Sequence, residues 1–86
     1  MPKISEFFGI SIYVYFEDHA PPHFHAVYAE HEAQIKIADS RVLRGTLPPR
    51  VMRLVIEWAA IRRAELDVVW REARDMKTLS WIQPLE

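Results

Sequence analysis

Eighty-six residues, no cysteine and a formal net charge of −1 exclude several classes at once. A disulfide framework and a thiolate site are ruled out, a charge-driven nucleic-acid surface has no support, and no apolar run reaches the ~18 residues that cross a bilayer. Half of the residues are hydrophobic, which suits one dense domain over residues 1–86 and leaves apolar surface for a homodimer or a protein partner.

The opening stretch, Met1 to Phe16, is apolar but interrupted by Lys3, Glu6, Tyr13 and Tyr15. It lacks the basic start, unbroken apolar run and small-residue cleavage site of a signal peptide, so a cytoplasmic protein without membrane contact is expected. Gly9 opens the clearest strand, Ile10 to Phe16. Ile10, Ile12, Val14 and Phe16 alternate onto one face; Ser11, Tyr13 and Tyr15 take the other. Asp18 to Pro22 is a connection, because its two prolines cannot donate to a ladder.

His23 to Ala29 reads as a second strand, with Phe24, Ala26 and Tyr28 on one face and His23, His25 and Val27 on the other. Glu30-His31-Glu32 reads as a polar turn. Ala33, Ile35 and Ile37 alternate as a third strand, and Arg41 to Arg44 makes a short fourth that Gly45 ends.

Thr46 is a candidate N-cap, with Pro48 and Pro49 in a first turn that needs no N–H donors. Arg50 to Arg74 reads as a helix, with a bend near Arg62 to Glu65. Val51, Leu54, Val55, Trp58, Ile61, Leu66, Val69 and Ala73 form its apolar stripe. Trp58 and Trp70 are expected in the core, and Leu79 to Ile82 as a last short strand. The order implies an α+β fold: a small antiparallel sheet of three to five strands, with one long or bent helix packed on one face.

The chemistry concentrates in His19-Ala20-Pro21-Pro22-His23-Phe24-His25. His23 and His25 share a strand face, with Tyr13 and Tyr15 on the same side in a hairpin. Three readings stay open. Imidazoles at i and i+2 can share a divalent metal, with His19 or Asp18 as a third ligand. Two histidines can also act as base and acid without a cofactor, as RNA cleavage needs, with Lys36, Arg41 or Arg44 facing the phosphate. Alternatively, the rings satisfy backbone groups around a proline-set turn. The candidate catalytic residues are His19, His23 and His25, backed more weakly by Tyr13 and Tyr15. The candidate metal ligands are His19, His23 and His25.

The segments Met1-Pro2-Lys3-Ile4, Tyr15 through Tyr28, Gly45-Thr46-Leu47-Pro48, Glu57-Trp58-Ala59, Glu65-Leu66, Trp70 and Ile82-Gln83-Pro84-Leu85 together resemble the bacterial DUF4160 family over nearly the whole chain. Asp18-His19-Ala20-Pro21-Pro22-His23-Phe24-His25-Ala26 is the most specific block. The resemblance brings no catalytic residues with it. It implies a neighbouring DUF2442 protein, and hence a two-gene, toxin–antitoxin-like module in which this chain binds a small DUF2442-like partner; a ribonuclease-like activity of that component would rest on the loop histidines, not on the resemblance. The alternative is a non-enzymatic binding, structural or metal-binding module built on the His-Pro loop.

Overall fold

The computed structural model describes residues 2–86; Met1 lies outside the described residues. Five strands are followed by two helices: β1 (Lys3–Phe7), β2 (Ile10–Tyr13), β3 (His23–Tyr28), β4 (His31–Lys36), β5 (Val42–Gly45), α1 (Pro49–Ile61) and α2 (Arg63–Arg74). The strands form one antiparallel sheet in sequence order, β1 to β5. This is the expected α+β class.

Alternation sets the layers. Ile12 lies opposite Ala26, and Phe24 opposite Ile35. These side chains share a fully buried cluster with Val55, Trp58, Leu66 and Val69 of the helices. Trp58 is the hub: its ring lies against Phe7 and Phe24, and its indole N–H donates to Gln83 O at 2.9 Å. A buried indole needs such an acceptor.

Several expectations are corrected. Lys3–Phe7 is a strand that its irregular alternation concealed; its register with β2 shifts between Lys3 and Ser5, so Ile4 and Ser5 are both buried. The strand begun at Ile10 stops at Tyr13 rather than Phe16. His31 opens β4 opposite Tyr28, and the turn is Ala29-Glu30. Leu79–Ile82 is not a strand, although Ile82 is buried and its N–H reaches Ile4 O at 2.8 Å. The residue capping α1 is Pro48, not Thr46, and no side chain caps this end. Proline there suits a terminus whose first N–H groups have no helical partners.

The one long or bent helix is instead two, parted at Arg62 (φ −105°, ψ 21°), at the start of the expected bend. The break turns Ile61 outward to 58% exposure, whereas Leu66 and Val69 on α2 remain in the core. Leu54 is only half-buried. Arg63 donates from Nε to Ile37 O at 3.0 Å, tying the start of α2 to the end of β4.

Candidate functional site

β3 carries His23 and His25 on one face, as period two requires. Their ring centroids are 5.1 Å apart. This is the face away from the Phe24 cluster, yet it is not open to solvent: His23 is 6% exposed and His25 5%. The connection from Val14 to Pro22, which includes a cis Ala20–Pro21 bond, folds back against it. Pro22 O accepts from Ile37 N–H at 3.0 Å, which fixes the end of this loop beside β4. Tyr15 sets its ring edge-on to His25 at 4.4 Å and stacks with Tyr13 at 6.2 Å. Trp70 of α2 lies against His23 at 5.5 Å.

His25 is hydrogen-bonded at both nitrogens and His23 at Nδ1. His23 Nδ1 lies 2.8 Å from Pro21 O, and His25 Nδ1 lies 3.1 Å from Glu32 Oε2. A carbonyl and a carboxylate can only accept, so each Nδ1 is the donor to its partner, and by the same rule His25 Nε2 is the donor to Asp18 when no ion lies between them. The Nε2 atoms then converge on one oxygen. Asp18 Oδ2 is 2.9 Å from His25 Nε2 and 3.5 Å from His23 Nε2. One ligand atom each from Asp18, His23 and His25 lies within 4.8 Å of the others.

Register explains the reach of Glu32. His25 stands opposite Gln34 and Val27 opposite Glu32. Glu32 is therefore the diagonal, same-face neighbour of His25, a separation that a long side chain spans. Burial first, then the charges of Glu32, Tyr13 and Asp18, raise the Tyr15 phenol above its ordinary pKa. Tyr15 thus stays a neutral phenol whose ring packs beside the cluster.

His19, first in the sequence motif, is exposed at the loop tip, and Asp18 occupies the third position of the cluster instead. Glu32 was hidden because a Glu-His-Glu run reads as a solvated turn. The Trp70 contact had no local sequence signal, since it joins residues 47 positions apart across the fold. One open surface recess adjoins the cluster at Glu32, lined by Glu32, Gln34, Arg44 and Gly45, and another lies apart from it, lined by Phe8, Tyr28, Arg50, Val51 and Leu54.

A family model described as "Domain of unknown function (DUF4160)" matches residues 9–71, which include every member of this cluster. The chain belongs to the DUF4160 family. No curated protein and no solved structure matches it. The family's residues 9–71 run from β2 through most of α2, so the five side chains Tyr15, Asp18, His23, His25 and Glu32 all fall inside the matched region. Among the described residues, no helix is long and apolar enough to cross a membrane.

Proposed function

We propose that this domain binds one divalent transition-metal ion through Asp18 Oδ2, His23 Nε2 and His25 Nε2. The observation that carries the reading is the convergence of two buried imidazoles on the same carboxylate oxygen. A packing role asks for one acceptor per ring and gains nothing from sharing. Metal-bound histidines, in contrast, typically tie the other ring nitrogen to a carbonyl or a carboxylate. His23 uses Pro21 O in this way and His25 uses Glu32.

The spacing fits an ion. Ligands at about 2.0–2.1 Å from zinc stand roughly 3.3 Å apart in a tetrahedron; the two Nε2–Oδ2 separations are 2.9 and 3.5 Å. Two imidazoles and one carboxylate suit zinc, iron, cobalt, nickel or copper better than magnesium or calcium. Burial favours an ion over acid–base attack on RNA, because a polymer's 2′-hydroxyl needs open access to both rings.

The test is calorimetric titration of the purified chain with Zn²⁺ and with Mg²⁺. One Zn²⁺ should bind per chain, and H23A and H25A should each abolish that binding, while H19A leaves it intact. Equal binding by all the variants, or none by the wild type, defeats the reading.

A second reading concerns partners. Val42 and Leu43 are exposed on β5, the last strand of the sheet, and all four β5 residues are exposed. Such an edge is a ready surface for association. We propose that, if the chain is part of a cytoplasmic two-gene, toxin–antitoxin-like module, a reading that rests on the family resemblance, this edge is where it engages a DUF2442-like protein. Co-expression of the two should give a stable complex that V42K weakens. A monomer that never co-purifies with such a protein counts against it, and a homodimer would assign the edge to a second copy.

A further inference from the structure

Gly45-Thr46, a motif far from the histidine loop, touches the candidate metal site through Glu32. Gly45 has φ +79°, and a Cβ placed on it would collide with Glu32 O and come within 3.2 Å of Ala33 Cα. Only glycine lets β5 approach this part of β4 so closely. Immediately after it, Thr46 N–H donates to Glu32 O at 3.1 Å. The backbone of Glu32 is thus held from the β5 side, while its side chain reaches the other way to His25.

We infer that Glu32 is the positioning residue of the metal site, fixing the ring of His25 by accepting its Nδ1–H. This rests on the metal-binding reading above. The geometry distinguishes the two histidines. His23 is oriented by a carbonyl of its own loop, two residues away, and needs no further side chain. His25 depends on a carboxylate seven residues off on the neighbouring strand. Without Glu32 the His25 ring keeps its Nε2 contact with Asp18, the edge of Tyr15 and the neighbouring His23 ring. None of these contacts selects Nδ1 as the protonated nitrogen. If the hydrogen sits on Nε2, that atom has no lone pair to offer an ion.

The carboxylate also makes the ligand stronger. A negative acceptor on Nδ1–H pushes electron density toward Nε2, so His25 should be the better donor of the pair. Glu32 itself does not touch the ion. Its side chain is 52% exposed, so replacing it leaves the buried core intact.

The experiment compares wild type, E32A and E32Q, with E30A as a control from the neighbouring turn. Zn²⁺ affinity is measured by calorimetry, and the His25 Nδ1–H proton is followed by NMR in the zinc-loaded protein. Glu32→Ala should weaken zinc binding by roughly 10–100-fold, the usual effect of losing such a partner. It should also erase the slowly exchanging Nδ1–H signal, while the thermal unfolding of the metal-free protein stays near that of E30A. Glu32→Gln keeps an acceptor oxygen and should retain the signal and part of the affinity. Wild-type zinc binding with unchanged affinity and an unchanged Nδ1–H signal in E32A would overturn the inference and leave the metal site standing. A wild type that binds no Zn²⁺ would remove the site and the inference together.

Discussion

On the helix-covered face of the sheet, Ile12, Phe24 and Ile35 are sealed by Trp58 and its neighbours. On the opposite face, His23 and His25 are sealed almost as completely, by a proline-rich loop, Tyr15 and Trp70. The two kinds of burial obey different rules. Apolar packing is non-directional and tolerates any side chains of suitable volume. Imidazole burial succeeds only when each nitrogen meets a partner, so it fixes Asp18, Pro21 and Glu32 as well. The first face holds the fold together; the second holds a set of atoms in place.

The comparison breaks most visibly on the apolar side. Trp58→Ala should cost about 3–5 kcal/mol, the usual range for a fully buried aromatic. That is a large share of what holds together a domain of this size. A urea-denaturation midpoint corresponding to less than about 1 kcal/mol would mean that Trp58 is not the hub of the core. Leu54→Ala, at a half-buried position beside an open recess, should cost clearly less than Trp58→Ala in the same assay.

Gly45→Ala comes next. Positive φ and a backbone collision together should cost about 2–4 kcal/mol. The loss should centre on the β4–β5 pairing, seen as faster amide exchange at Thr46 than at Ala26. Uniform exchange rates would show that β5 does not depend on this glycine.

On the polar face, Asp18→Ala removes the oxygen that accepts from His25 and that both Nε2 atoms approach. It should cost about 1–3 kcal/mol, the penalty for unsatisfied buried groups. The smallest effect belongs to His19→Ala. This exposed ring should change stability by less than about 0.5 kcal/mol. A larger loss would mean that the loop tip is held by contacts the cluster does not need.

The two faces also differ in how far the sequence foretells them. Alternation in Ile10-Ser11-Ile12-Tyr13 and in His23-Phe24-His25-Ala26 was enough to assign both sheet faces and to pair the histidines. It could not foretell that the second face is covered, because a loop's path is a tertiary fact. β1 escaped notice because the shift between Lys3 and Ser5 breaks its period. The helix break at Arg62 was visible only as a widening of the stripe, since neither proline nor glycine marks it. At the site, His23 and His25 were legible from their i, i+2 spacing. The third member was narrowed to His19 or Asp18: the two are adjacent, and only the fold turns one outward and the other in. Glu32 lies beyond local reasoning altogether, since its link to His25 follows from the β3–β4 register.

The most direct test of the second face is X-ray absorption spectroscopy at the zinc edge on the zinc-loaded chain. The account predicts one zinc per chain with two imidazole nitrogens and a carboxylate oxygen at about 2.0–2.2 Å, and no zinc with that signature in H23A or H25A. Zinc surrounded by oxygen alone, or a spectrum identical in H23A, H25A and wild type, would contradict it.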